Sequence, residues 1–341
     1  MLNSLGITVA TVSSLIATTS TAGNLLVCFV VIKNRDMRTP FNFLLLNLAV
    51  ADIIYSTFHF TYLIYRRSHD INPDAMLDNG ICFSLKRLAW IGADCSVFTM
   101  IAIANERYWA AVHPLSVQRK LIWRKLKVII PATWILSALI NMRGFLLLLS
   151  FGRKVALKPC TYIWLGAEEL LKAYRLIRVI YVGISSLLMI GYYSIVVYTL
   201  WFKRDDHEER PSQQQGVLKV RKRVTLMVLT VTALFEICWI PDTVMHVLHD
   251  FGLYRIRSVA FDITHTILAL NSAVNPFAYA LINQRFREKM KGMLCNRSCA
   301  SEENVNAADN QLITFRPTLA STFTRSSGEL CLVQRPPTRD I

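Results

Sequence analysis

The chain has 341 residues, 53% of them hydrophobic and 18% charged, with a mean hydropathy of +0.36. Soluble domains carry about 25% charged residues, and the apolar residues here form long runs broken by short basic segments, which excludes a disordered chain, a disulfide scaffold and a cytosolic enzyme. The net charge of +15 reads as Lys- and Arg-rich cytoplasmic loops beside an anionic leaflet, so no nucleic-acid partner is expected.

After a short stretch at 1–6, seven segments are long and apolar enough to cross a bilayer, which takes about 20 residues. They are 7–32, 41–65, 80–112, 126–150, 174–202, 222–249 and 258–282. Lipid-exposed irregular backbone is not tolerated, and the runs are too long for barrel strands, so all seven should be helices. The first lacks a basic leading region and is followed by Lys33, Arg35 and Arg38, the pattern of a span rather than a signal peptide. Thr39-Pro40 opens the second, which carries Asp52. The third starts near Cys82, carries Asp94 and Glu106-Arg107-Tyr108, and stops at His113-Pro114. Trp134 lies in the fourth and Tyr193 in the fifth. The sixth reads Phe235-Glu236-Ile237-Cys238-Trp239-Ile240-Pro241, whose proline must kink it. Asn275-Pro276-Phe277-Ala278-Tyr279 does the same to the seventh.

From Gln284 to Leu294, apolar Phe286, Met290, Met293 and Leu294 alternate with Arg285, Arg287, Lys289 and Lys291. This predicts a short amphipathic helix on the membrane lipid, and Cys295 and Cys299 behind it are candidates for palmitoylation. The stretch 300–341 lacks periodicity and is expected to be disordered. Its Thr314, Thr318, Ser321, Thr322, Thr324, Ser326 and Ser327 offer hydroxyls for phosphorylation, or simply a solvated tail.

With the amino terminus outside, the inner segments hold 20 Lys and Arg against 13 for the outer ones. That bias places the carboxyl terminus in the cytoplasm. Cys28, Cys95 and Cys238 fall inside spans, and Cys295, Cys299 and Cys331 fall on the reducing side. Cys82 and Cys160 face the oxidising side, where they are expected to pair rather than stay free. An odd number of spans without an internal repeat argues against a transporter, and no filter loop or charged ring suggests a channel.

These residues together resemble the rhodopsin-like (class A) G-protein-coupled receptors over residues 7–299. The resemblance rests on Gly23-Asn24, Asp52, Cys82 with Cys160, Glu106-Arg107-Tyr108, Pro114-Leu115, Trp134, Phe235, Cys238, Trp239, Pro241, Asn275, Pro276 and Tyr279. It implies that Glu106 holds Arg107 at rest and releases it toward a G protein, with Tyr193 and Tyr279 swinging in. It makes Trp239 and Phe235 a packing switch below the ligand. It implies a sodium ion, an allosteric modulator rather than a required cofactor, among Asp52, Ser96, Asn271, Ser272 and Asn275. A protonated Asp52 held only by hydrogen bonds is the alternative.

The sequence departs from the family pattern at three places. Arg221 stands where many members carry an acid that bridges to the third-span Arg, so that lock is expected to be missing and basal activity raised. Ser185 replaces the usual fifth-span proline, and Glu236 is an acid inside the sixth span, read as bonded to a neighbouring helix.

The resemblance also bears on the ligand. Opsins need a seventh-span Lys, but Tyr254 to Ile282 has none and Ala269 stands at the matching place. Amine receptors need a third-span Asp where Ala89 stands, and Asp94 lies about 140° further round that helix. The run from Tyr193 to Trp201, and Cys160-Thr161-Tyr162-Ile163-Trp164, are similar to neuropeptide receptors. The candidate pocket comprises Lys86, Trp90, Arg178, Asp242, His246 and His265, with Arg143 and Asp262 nearby. Arg66, Arg67, Arg153, Lys154 and Lys158 form a basic rim that either steers an anionic ligand or contacts headgroups.

The expected architecture is an all-α membrane protein: a seven-helix bundle at 7–282, an amphipathic helix at 283–299 and a disordered tail. It is expected to act at the plasma membrane as a receptor, not an enzyme, that passes the binding of an extracellular peptide to a heterotrimeric G protein. A lipid or small-anion receptor, and an ion transporter or channel, are the alternatives.

Overall fold

A computed structural model of the chain describes residues 4–71, 79–113, 123–142, 154–158, 161–164, 168–202, 212–250, 253, 259–282 and 284–292. The elements run α1 (Ser4–Lys33), a 3-10 turn (Arg35–Met37), α2 (Pro40–Ile71), α3 (Asn79–Val112), α4 (Trp123–Asn141) and a hairpin of β1 (Lys154–Lys158) and β2 (Thr161–Trp164). Then come α5 (Glu168–Val197), a π-helical turn (Tyr198–Phe202), α6 (Ser212–Asp250), α7 (Val259–Ile282) and a last helix, α8, at 284–292. The described part of this chain forms one compact unit, Met1–Lys291.

The seven expected spans are all helical. Among the described residues, α1, α2, α3, α5 and α6 are long and apolar enough by themselves to cross a membrane. The other two carry polar residues for identifiable reasons. Arg124, Lys125 and Lys127 open α4, and α7 turns Asn271, Ser272 and Asn275 into the protein interior. Helices α5 and α6 begin six and ten residues ahead of their apolar runs. Hydropathy sees only the stretch in lipid, whereas a helix continues into water while its own hydrogen bonds are satisfied. Helix α4 ends at Asn141, where Met142 N–H bonds the Leu139 carbonyl at 3.3 Å. The rest of the expected fourth span, 143–150, lies outside the described residues.

Local signals explain the turn between α1 and α2. Arg38 donates to the Ile32 carbonyl through Nε (3.0 Å) and Nη2 (2.5 Å), satisfying the end of α1. Thr39 Oγ1 accepts from the Asn42 N–H at 3.2 Å, capping a helix whose first residue is Pro40.

Helix α3 is the hub: it packs against α2, α4 and α5, while α1 packs on α2 and α7, and α6 on α7. Two-thirds of the apolar window of α3 is buried (67%), against 28% for α5, so α5 is the more lipid-facing. Leu187, Ile184 and Leu176 on α5 are exposed hydrophobics that only a lipid solvent makes stable. Gly92 sets the approach of α3 to α2: a Cβ there would lie 2.8 Å from both the Ala51 carbonyl oxygen and the Tyr55 nitrogen, which are backbone atoms that cannot yield.

The hairpin was not anticipated. β1 and β2 pair antiparallel, with Lys154 opposite Trp164 and Val155 opposite Ile163. It adds two short strands to a fold that is otherwise the expected all-α bundle. Strands of five and four residues carry too little periodicity to be read from sequence.

Candidate functional site

Two carboxylates inside the bundle organise the candidate site. Near one end of the bundle lies Asp242, which directly follows the helix-interior Pro241 of α6 and is 1% exposed. Its Oδ2 is 3.9 Å from Arg178 Nη2 of α5 and 3.4 Å from His246 Nδ1, one turn along α6. Its Oδ1 is 3.4 Å from His265 Nε2 of α7. Three helices thus meet on one buried acid. Trp90 of α3 forms the floor: Arg178 stacks on its ring at 3.8 Å, and the rings of His246 and His265 lie 6.3 and 6.1 Å away, edge-on. Lys86, one turn above Trp90, faces the Tyr62 ring at 5.7 Å. The six residues picked from sequence therefore belong to one neighbourhood. The side chains of Arg143 and Asp262 lie outside the described residues.

The sequence reading missed the α2 side of this cluster. His59 lies 5.9 Å, ring to ring, from His265 and stacks on Tyr55 at 5.3 Å. The signal was present. Asp52, Tyr55, His59 and Tyr62 recur at spacings of three, four and three residues, which places them on one helical face.

Below the Asp242 cluster, an aromatic stack continues inward. Trp90 meets Trp239 at 6.3 Å, and Trp239 lies 5.2 Å from Phe235. Trp239 is 3% and Phe235 1% exposed, so neither can move without displacing a neighbour.

The second acid, Asp52, is fully buried in the middle of the bundle. Ser96 donates to its Oδ1 at 2.9 Å, Ser272 to the same oxygen at 3.0 Å, and Asn275 Nδ2 to Oδ2 at 2.7 Å. Four of the five residues expected around a sodium ion thus form one network joining α2, α3 and α7. The fifth, Asn271, is buried, and its Oδ1 has no hydrogen-bond partner. Behind it Asn24 donates to the Ser272 carbonyl at 2.9 Å and anchors α1. An oxygen-rich pocket with a carboxylate, two hydroxyls and an orphaned amide oxygen fits a small hard cation.

At the opposite end from Asp242, Arg107 is paired with Glu106, Nε to Oε2 at 2.6 Å. Its guanidinium also stacks 3.9 Å above the Phe41 ring. It borders a cleft of about 460 Å³ lined also by Asp36, Phe41, Arg223, Gln284 and Glu288. Arg223 donates to Gln284 at 2.7 Å, tying α6 to α8. Tyr108 packs against Tyr192 of α5 at 5.5 Å. Tyr193 and Tyr279 are both buried, and Tyr279 touches Phe286 of α8, rings 6.2 Å apart. Buried Phe286 docks the amphipathic helix, while Asp36 in the turn after α1 receives Lys289 Nζ at 3.0 Å. That hydrogen bond, with Arg285 nearby, holds the Asp36 carboxyl below the ordinary carboxylate range. The side chain of Arg221 lies outside the described residues.

The remaining polar residues have structural partners. Asp94 bonds elsewhere, as its angle on α3 predicted, accepting from Asn141 Nδ2 of α4 (2.7 Å) and Tyr181 of α5 (3.2 Å). Glu236 accepts from Ser186 of α5 at 2.7 Å, the neighbouring-helix bond anticipated for it. Ser185, in the place of a proline, bonds the Tyr181 carbonyl at 2.8 Å. Trp134 donates to Asn47 at 2.9 Å, and Asn47 bridges on to Thr99 and Thr133, a network across α2, α3 and α4 that sequence reading did not find. Cys82 is disulfide-bonded. Its expected partner Cys160, and the palmitoylation candidates Cys295 and Cys299, lie outside the described residues, as does the tail from 293.

Comparison with known proteins agrees with this arrangement. Residues 23–279 match the family model of the 7 transmembrane receptor (rhodopsin family). The chain is similar to the Tachykinin-like peptides receptor 86C of Drosophila melanogaster, 28% identical over 80% of this chain and 56% of that one. It is similar to Neuropeptide FF receptor 2 of Rattus norvegicus, 30% identical over 78% of this chain and 67% of that receptor. The Substance-K receptor of the same species is 24% identical over 89% and 77%. The match thus spans little more than half the Drosophila receptor's length and two-thirds to three-quarters of the other two. A family match over most of the chain, with seven helices arranged around Asp52, Arg107 and Trp239, makes this multi-pass membrane protein a member of the rhodopsin family of seven-transmembrane receptors.

Proposed function

We propose that the chain is a plasma-membrane receptor, amino terminus outside and carboxyl terminus in the cytoplasm, that binds an extracellular peptide and activates a heterotrimeric G protein. The observation that carries this is the convergence of Arg178, His246 and His265 on Asp242 above the Trp90–Trp239–Phe235 stack. A cluster with both signs of charge and aromatic neighbours suits a peptide with a charged or amidated end better than an acyl chain. The similar receptors named for peptides support the same reading.

The mechanism is a shift between two bundle states, driven by a ligand that binds one state more tightly. A ligand group that engages Asp242 or Arg178 competes with the links between α5, α6 and α7. Relaxation of those links moves α6 at its Pro241 kink, and the tightly packed Trp239 and Phe235 pass the change inward. At the cytoplasmic end, Arg107 exchanges Glu106 for the G protein, and arrestin and receptor kinase follow at the tail. Asp52, Ser96, Asn271, Ser272 and Asn275 would hold a sodium ion, whose charge neutralises the buried carboxylate.

The cations Arg178 and Lys86 favour a second reading, a receptor for a small anion or lipid. The experiment is GTPγS exchange on membranes carrying the chain, challenged with amidated neuropeptides, lipids and small carboxylates. Saturable exchange with a peptide is the expected result. A response to lipids or anions alone would support the second reading, and ion flux independent of any G protein would overturn both.

A further inference from the structure

The structure assigns a transition-metal site, of the kind zinc occupies, to Asp242, His246 and His265. One ligand atom from each lies within 4.8 Å of those from the other two. Asp242 and His246 are four residues apart on α6, so their side chains stand on one face a turn apart. His265 comes from α7 and closes the triangle. A tetrahedral zinc ion with bonds of about 2.0–2.1 Å needs donors roughly 3.3–3.5 Å apart. The 3.4 Å from His265 Nε2 to Asp242 Oδ1 already meets that requirement. The remaining separations are no more than 4.8 Å, so metal binding would have to draw those donors together by up to about 1.4 Å.

The chemistry selects the metal. Two imidazoles and one carboxylate suit zinc and its neighbours, whereas calcium and magnesium require mostly oxygen ligands. His246 Nδ1 lies 2.8 Å from the Asp242 main-chain carbonyl, which can only accept, so a proton on Nδ1 would leave Nε2 as the ligating nitrogen. A metal-bound imidazole commonly makes such a bond through its other nitrogen. Three protein ligands leave a fourth position for water or a ligand group beside Trp90.

Among the described residues, Arg178, 3.9 Å from Asp242 and stacked on Trp90, is a cation placed to compete with the ion. A bound ion links α6 to α7 next to Pro241. It does so in the arrangement where Arg107 is held by Glu106, so it stabilises the resting bundle and opposes activation. The binding does not depend on the receptor reading; its effect on exchange does.

The test uses the full-length chain purified in lipid nanodiscs, with zinc binding measured by competition against a fluorescent chelator. One zinc per chain at micromolar affinity is expected, with calcium and magnesium failing to compete at millimolar levels. His246→Gln and His265→Gln should each weaken binding at least about tenfold, the scale on which losing even a supporting group acts. His265→Cys should restore binding, because a thiolate also ligates zinc, and it separates a lost ligand from a misfolded chain. Arg178→Gln should tighten binding severalfold. Zinc should lower agonist-stimulated exchange in the wild type, with the midpoint of its direct binding. Unchanged zinc affinity in the His246→Gln/His265→Gln double variant overturns the site, as does a His265→Cys chain that binds no better than His265→Gln. Site-dependent binding with unaltered exchange overturns the regulatory role.

Discussion

Asp52 and Asp242 are equally buried, yet they are satisfied by opposite means. Asp52 meets only neutral donors, two hydroxyls and an amide, all within 3.0 Å. Asp242 meets a guanidinium and two imidazoles at 3.4–3.9 Å, distances that leave room to rearrange. A carboxylate held by short neutral bonds is a fixed node that still attracts a cation. A carboxylate surrounded by looser charged partners is one whose partners can be exchanged for a ligand's. The helices at each acid match that division. Asp52 ties α2, α3 and α7, while Asp242 ties α5, α6 and α7, and α5 and α6 are the pair that part in the proposed mechanism.

The comparison can be broken most directly by amidating each acid. Asp242→Asn removes the charge that three cationic or protonatable groups face. Truncating one partner of a buried charged set costs about 2–5 kcal/mol, so agonist potency should fall by about 100-fold in a GTPγS dose–response. A drop of less than threefold would show that Asp242 is not the exchangeable anchor. Asp52→Asn keeps most of the hydrogen bonding and should change thermal stability by only about 1 kcal/mol. It should, however, erase any dependence of agonist affinity on sodium, and dependence that survives would place the ion elsewhere.

A double-mutant cycle sharpens the account of Asp242. Arg178→Gln and Asp242→Asn should couple by about 1–2 kcal/mol in agonist binding, whereas Arg178→Gln and Asp52→Asn should be additive. Equal coupling in both cycles would merge the two centres into one network. The smallest effect is expected at Asp36, which is exposed and outside the bundle. Because Lys289 depresses its folded-state titration, the contact is fully present above the ordinary carboxylate range and is lost only as pH falls through that lowered value. Amide exchange in 284–292 should therefore be unchanged between pH 5 and 8 once corrected for intrinsic rates, and slightly faster in Asp36→Asn. A step near neutral pH would point to another group.

How far the sequence carried these two centres differs for a physical reason. Asp52 is a lone acid in an apolar run, and its partners were placed by the family resemblance, residue by residue; four of the five form the network. Asp242 was legible only as one of several polar residues at the end of a span. Its meeting with His265 needs the α6–α7 packing, which no local pattern encodes. His59 was recoverable from its spacing to Asp52 and Tyr55 but was hidden by aromatic neighbours that look like ordinary core. Helix existence was fully legible because lipid forces twenty-residue apolar runs. Helix ends were not, because α5 and α6 run on into water.

The central claim is that one bundle links the Asp242 cluster to Arg107. Its most direct test is agonist-stimulated GTPγS exchange on membranes with equal surface amounts of wild type and Arg107→Ala, alongside ligand binding to both. Ligand binding retained with exchange abolished in Arg107→Ala is the predicted result. Unchanged exchange in Arg107→Ala would contradict the account, and so would exchange and ligand binding lost together.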